Sequence, residues 1–367
     1  MLKSAPSGVL VTGVTGLIGG EILRELQLRG ASSMAALVRR SRAETPEERF
    51  QYRMERGGIY VNYLLETTVL EGDITEGQWG LLEADIRYVG DHIGTIVHCA
   101  ADTSFIREGS VAETNIRGTQ NLIRLVKSLP TPPRIVYVST ATNVGCVRHC
   151  CVNEDAGCRS ESQHHNTYTR SKAVAESMLK QSGLDVLVVR PTIVLSAGIN
   201  DRSFARNILW FAPLLYEFEM LPIDPNGRMD LVSSAFVASG TVELMQASSP
   251  DYDCYHISAG HELSITIAEA LTTFNEIYER RPPILIPPEE WTNADMRRCV
   301  RTPQQRQLFH ALRYYLPFLN MDVTYDNSRF YETLGLNAPR FDVFDSYAHQ
   351  LLEQIETNDA LLEAARP

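Results

Sequence analysis

Short apolar runs alternate with segments of helical spacing over the first two-thirds of the chain. Runs at 8–12, 34–38, 68–70, 95–98, 134–139 and 185–190 read as strands, the last ended by Pro191. Between the first two, Ile18, Ile22 and Leu26 share one face of a helix predicted over 18–29. Further helices are predicted over 78–89 and 115–129, the latter stopped by Pro130 and the Pro132, Pro133 pair. Such alternation predicts an α/β fold, a doubly wound parallel sheet.

After Pro191 the pattern loosens. Residues 204–221 carry Phe204, Ile208, Leu209, Phe211, Leu214, Leu215 and Phe218, as a helix on the core or the roof of an apolar pocket. A strand at 255–258 and helices from Ile265 onward are assigned to a smaller, mostly helical C-terminal lobe, and 282–288 to a proline-rich loop. The expected division is 1–195 for a nucleotide-binding domain and 196–367 for a substrate lobe partly interleaved with it. There is no internal repeat or low-complexity tract.

Composition narrows the function classes. At 367 residues the chain exceeds one compact domain, and 44% apolar with 22% charged residues is ordinary for a globular enzyme. A net charge of −11 argues against nucleic acid as a partner. No apolar run approaches the ~20 residues of a membrane span, and Met1 to Ser7 does not resemble a signal peptide, so a cytoplasmic location is expected. Seven cysteines, an odd number, fit reduced thiols. Cys146, Cys150, Cys151 and Cys158 lie near His149, His164 and His165, but without a C-x-x-C spacing. No metal is therefore assigned, and this stretch is read as a loop beside the active site.

Gly13, Thr15, Gly16, Leu17, Ile18 and Gly19 follow the first strand and open the first helix. There, Gly13 permits a tight turn, Gly16 lets a pyrophosphate approach the backbone, and Gly19 lets helix and strand pack closely. The fold class becomes a Rossmann-type sheet. At the end of the second strand, where an NAD site places a carboxylate, stand Arg39 and Arg40. Guanidinium groups match a 2′-phosphate, so NADPH is the expected cofactor, and Arg49 could return to the same phosphate. Asp73 and Ile74 after the third strand, Cys99, Ala100 and Ala101 after the fourth, and Asn115 facing them complete the cofactor side.

The lysines are few (Lys3, Lys127, Lys172 and Lys180), and one falls four residues after Tyr168, on the same helix face. A carbonyl that accepts hydride needs a proton donor within hydrogen-bond reach, and an ammonium beside a phenol eases loss of its proton. Tyr168 and Lys172 are the expected pair. A hydroxyl at the end of the fifth strand, Thr140 in preference to Ser139, is expected to polarise the carbonyl oxygen.

These residues resemble the extended short-chain dehydrogenase/reductase superfamily, from the glycine turn to Arg190, Pro191 and Thr192. There the strand-end hydroxyl lies five residues before a glycine, which selects Thr140 before Gly145. More narrowly, 11–19, 37–40 with Arg49, 72–75, 98–101, 114–119 and 230–232 look like the thioester reductase and male-sterility-type fatty acyl reductase branch, over about 8–260. The resemblance implies that Pro191, Thr192 and Ile193 also line the cofactor. It implies NADPH-dependent reduction of an acyl thioester, on coenzyme A or on a carrier protein met in trans, to aldehyde and on to alcohol. Rival readings are a reductase of free ketones or aldehydes, a sugar-nucleotide epimerase or dehydratase, and a non-enzymatic nucleotide sensor. Ser346, after Asp345, faintly echoes a carrier's phosphopantetheine serine but is read as a helix-start residue.

Overall fold

The computed structural model describes residues 6–56, 67–105, 107–156, 163–196, 212–247 and 251–348. Seven parallel strands form the central sheet: β1 (Gly8–Thr12), β2 (Met34–Val38), β3 (Thr67–Glu71), β4 (Ile93–His98), β5 (Arg134–Val138), β6 (Val186–Pro191) and β7 (Cys254–Ile257). Their spatial order is β7-β6-β5-β4-β1-β2-β3. The order reverses direction at β1 and β4, whose Val11 and Val97 stand in register, and such a reversal opens a crevice at the carboxyl edge.

Strand alternation divides the core into two layers. Val9, Val11, Ala36, Val97, Val136 and Val189 face Ile22, Leu23 and Leu26 of helix α1 (Leu17–Leu28). On the opposite face, Leu10, Ala35, Ile96, Ile135 and Val188 meet Leu122 and Leu125. Both faces are covered, which explains why the strands read as continuous apolar runs. A third apolar cluster, around Leu215, Leu221, Leu271 and Leu312, lies in the C-terminal part, and a fourth joins Ala141 and Val144 to Phe318 and Val323.

Several elements differ from the sequence reading. The strand at 255–258 is β7 of the central sheet, paired with β6 through Tyr255 and Val189, and does not belong to a separate lobe. Its residues are all buried, so the apolar run fits a sheet strand covered on both faces. The helix expected over 78–89 starts only at Glu83, after a turn in which Gln78 and Trp79 take φ of 49° and 61°. Trp79 is fully buried there and anchors the turn. The helix expected from Asn115 begins at Glu108 and passes through a wide turn at Glu113–Arg117 before continuing as Gly118–Ser128. The 282–288 segment contains a strand, Ile284–Ile286, parallel to Met220–Pro222. Of 204–221, residues 204–211 lie outside the described residues, while Ala212–Leu215 forms one helical turn.

Candidate active site

The glycine turn is built as the cradle of a diphosphate requires. Gly13 has φ of +75°, and a Cβ there would stand 2.7 Å from the Ala100 nitrogen. At Gly19 a Cβ would stand 2.4 Å from the Gly13 carbonyl oxygen, so only glycine lets α1 seat on β1. Gly16, the residue before α1, has no side-chain cap, and the first turn holds no acidic residue. The positive end of the helix thus faces the crevice with its amides available to an anion. Thr15, Leu17 and Ile18 belong to this turn and the start of α1. Thr12 secures the far wall: its Oγ1 meets His98 Nδ1 at 3.0 Å and accepts from the Ala100 amide at 3.1 Å. Burial, with the Lys172 charge adding, pushes the His98 imidazole down to about 3, so this ring is neutral. Cys99 is held as a thiol, pushed up to about 12 by burial.

At the end of β2 the arginines divide. Arg40 spends two donors on Glu71, both at 2.7 Å. Arg39 is two-thirds exposed and holds Asp73 only loosely, at 3.4 Å. Helix α2 (Pro46–Arg56) returns Arg49 to this spot, where it donates to the Arg39 carbonyl. Arg39 and Arg49 thus stand together beyond the end of β2, and Arg40 is the more occupied member of the predicted three. Asp73 accepts at Oδ1 from the Thr75 amide and hydroxyl, at 2.9 and 2.8 Å, and Ile74 packs over Gly118.

Asn115 sits in the wide turn and binds in three directions. Its Oδ1 accepts from the Asp102 amide at 2.8 Å, and its Nδ2 donates to the Asp102 carbonyl at 3.0 Å and to Ser171 Oγ at 2.8 Å. It thereby ties the Ala100, Ala101 loop to helix α3 (Thr167–Lys180), which carries Tyr168 and Lys172. Asn166 caps α3 by accepting from the Thr169 amide at 2.9 Å.

Lys172 is almost fully buried, and its Nζ donates to the Val138 carbonyl at 2.6 Å and stands 4.2 Å over the Tyr137 ring. Burial pushes this amine down to about 8, against the opposing influence of Cys99 and Glu176. Tyr168 is partly buried, and burial pushes its phenol up to about 12, leaving it a proton donor at neutrality. In this geometry the ammonium is anchored on the end of β5. Thr140 follows at once, its hydroxyl 3.0 Å from that of Thr142.

Ser139 takes a different part. Its hydroxyl donates to Glu176 Oε2 at 2.8 Å. Asn143 donates to the same oxygen at 2.6 Å, and Arg190 reaches both Glu176 oxygens, at 2.6 and 3.1 Å. The Arg190 and Glu176 side chains are wholly buried. The sequence reading missed this group. Its signal was a glutamate four residues after Lys172 and an arginine before Pro191, both polar residues in apolar settings. Thr192 donates to Asp230 Oδ1 at 2.8 Å, and the Ile193 amide donates to the Asp230 carbonyl at 3.2 Å. Pro191 ends β6 at the same edge.

A second missed feature is aromatic. The Phe105 ring lies 6.1 Å from that of Tyr168, 5.3 Å from Tyr315 and 5.0 Å from Phe318, so the C-terminal part reaches the surroundings of Tyr168. Cys146, Cys150 and Cys151 are exposed free thiols, and Cys150–Val152 forms a strand beside Val323–Tyr325. Cys158 lies outside the described residues. Among the described residues no three metal-ligating side chains are gathered.

The family model of the male sterility protein matches residues 11–241. The chain belongs to this family, a branch of the extended short-chain dehydrogenases/reductases. It is 26% identical over 267 residues to the iterative polyketide synthase afoE of Emericella nidulans, covering 68% of this chain and 10% of that protein. It is 27% identical over 224 residues to fatty acyl-CoA reductase 1 of Homo sapiens, covering 51% of this chain and 43% of that protein. The chain thus spans less than half of each of these relatives. The solved terminal R domain of the myxalamid PKS-NRPS pathway superposes with a TM-score of 0.77 at 20% identity, over 98% of this chain and 93% of that one. That likeness establishes the shared fold. Family and glycine turn together make the chain a nicotinamide-dependent oxidoreductase. Among the described residues no helix is long and apolar enough to cross a membrane.

Proposed function

We propose that the chain is an NADPH-dependent reductase of acyl thioesters, yielding the aldehyde and, with a second turnover, the alcohol. The observation that carries this reading is the Lys172 amine held on the Val138 carbonyl, with Tyr168 one helical turn before it on α3 and Thr140 two residues after Val138, beside a glycine cradle, in a chain of the male sterility family.

The cofactor fits what surrounds it. Gly13, Gly16 and Gly19 would hold its diphosphate, Arg39 and Arg49 its 2′-phosphate, and Asn115 and Lys172 the wall beside its ribose. When bound, it supplies the hydride that the thioester carbon accepts. The chain's own groups then handle oxygen and proton. Thr140 donates to the carbonyl oxygen, stabilising the charge that develops on it. Tyr168, protonated at neutrality, gives that oxygen its proton. The Lys172 ammonium, fixed on Val138, lowers the cost of the negative charge left on the phenol. The hemithioacetal so formed loses its thiol to give the aldehyde.

The test is a panel of octanoyl-coenzyme A, an octanoyl carrier protein, octanal and a simple ketone, each with NADPH, followed by loss of reduced-nicotinamide absorbance. Turnover of both thioesters and of octanal is expected. Turnover confined to the ketone would overturn the thioester reading.

A further inference from the structure

The helices Asn293–Cys299 and Pro303–Leu312 both line an open groove of about 430 Å³. Met296, Val300 and Phe309 form its apolar floor, and Arg297, Arg306 and Arg313 stand around it. All three arginines are exposed and make no ion pair among the described residues. Charge is concentrated here against the trend of the molecule. Residues 293–313 hold five arginines and a single carboxylate, in a chain of net charge −11. That carboxylate, Asp295, is spent on the cap of its own helix, accepting from the Thr292 amide at 3.0 Å and hydroxyl at 2.6 Å. Among the described residues, only Arg301 of the five makes an ion pair, with Glu219 at 2.9 Å.

The chain that follows the groove also comes close to Tyr168. Arg313 lies two residues before Tyr315, whose ring is 5.3 Å from Phe105, itself 6.1 Å from Tyr168. With about 3.5 Å per residue and roughly 4 Å from the Tyr315 backbone to its ring, the distance from the Arg313 backbone to the phenol ring is no more than roughly 23 Å. A long, flexible thioester arm can span that distance while its bearer stays outside.

We propose that this groove docks an acidic amphipathic helix of a carrier protein that presents the acyl thioester to Tyr168. The inference rests on the thioester reading above. The guanidinium groups meet carboxylates on the helix, and Met296, Val300 and Phe309 receive its apolar side chains. An apolar floor with charges spread over two helices matches a protein surface about 15 Å long better than the compact phosphates of coenzyme A. Because the charges are exposed, the attraction raises the association rate and weakens with salt.

The probe is a bacterial fatty-acid acyl carrier protein loaded with octanoate, its binding followed by fluorescence anisotropy and its reduction by steady-state kinetics. Octanoyl-coenzyme A serves as the second substrate. The variant R306E/R313E alters two exposed side chains, and unchanged thermal unfolding confirms its fold. Expected is a rise of at least tenfold in carrier Kd and in KM for the loaded carrier, with kcat and the coenzyme A kinetics within twofold of the parent. Raising ionic strength should erase most of the difference. Carrier affinity equal in parent and variant would overturn the proposal, as would absence of carrier binding by the parent. An equal loss with both thioesters would overturn it in favour of a coenzyme A site. Groove-dependent carrier binding without reduction of either thioester would instead sink the thioester reading and leave the docking surface standing.

Discussion

Glu176→Gln removes one charge from the buried group that joins α3, β5 and β6, at almost constant volume. The Arg190 guanidinium then keeps the Glu154 carbonyl at 3.1 Å but loses the carboxylate that met it at two points. With both side chains wholly buried, stranding one member of the pair costs about 3–5 kcal/mol. Lys180, 3.2 Å from the same carboxylate, loses its partner as well, though that end is partly solvated and adds little. Denaturant unfolding should therefore move to a clearly lower midpoint. Replacing both members, Glu176→Leu with Arg190→Met, should recover most of the loss, because no wholly buried charge is left without its partner. The substitution also reaches the reaction. Burial lowers the Lys172 amine to about 8 while Cys99 and Glu176 oppose that fall. Without the carboxylate the amine drops further and loses its proton at lower pH. The alkaline limb of kcat/KM, expected near pH 8 in the parent, should shift downward in Glu176→Gln. A stability loss below about 1 kcal/mol would refute the account of the buried pair. An alkaline limb that stays in place would refute the link between Glu176 and Lys172.

Tyr168→Phe keeps the ring against Phe105 and removes the proton donor, so kcat should fall by about 10²–10⁴ with NADPH affinity nearly unchanged; retained turnover would remove Tyr168 from the reaction. Arg39→Ala should weaken NADPH far more than NADH in a binding titration. Arg40→Ala should have the smaller effect, because Arg40 is already held by Glu71, and the reverse order would show that Glu71 releases it.

What could be read in the sequence follows from how local each signal is. The strands β1, β2 and β4 to β6 are apolar runs with both faces covered, so burial wrote them directly into composition, while β3 at the sheet edge exposes Thr68 and Glu71. The glycine turn was legible because its three glycines answer to local sterics, a positive φ at Gly13 and a close approach at Gly19. Tyr168 and Lys172 share a helix, so their spacing was enough to pair them. Features made by distant segments were not legible. β7 lies more than sixty residues after β6, and nothing in its four residues says which sheet they join. Arg40 reads as free beside Arg39 until parallel pairing brings Glu71 alongside Val38. The wide turn at Glu113–Arg117 has no composition of its own, yet it carries Asn115 to both the Asp102 loop and Ser171.

Thr140 and Lys172 arrive from different elements, and the buried group beneath them gives the two a common frame. Ser139 fixes the end of β5 to Glu176, while Lys172, one helical turn earlier on α3, fixes itself to Val138. The end of one strand is thus gripped twice by a single helix, at the two residues that lead into Thr140. Arg190 adds β6 to the same carboxylate. A shift of α3 along its axis would have to break both attachments together, so the phenol, the amine and the strand-end hydroxyl move as one body. That is the rigidity the proposed proton transfer would demand of groups acting on one oxygen, and it gives a reason for a buried ionic pair whose worth to stability alone would be small.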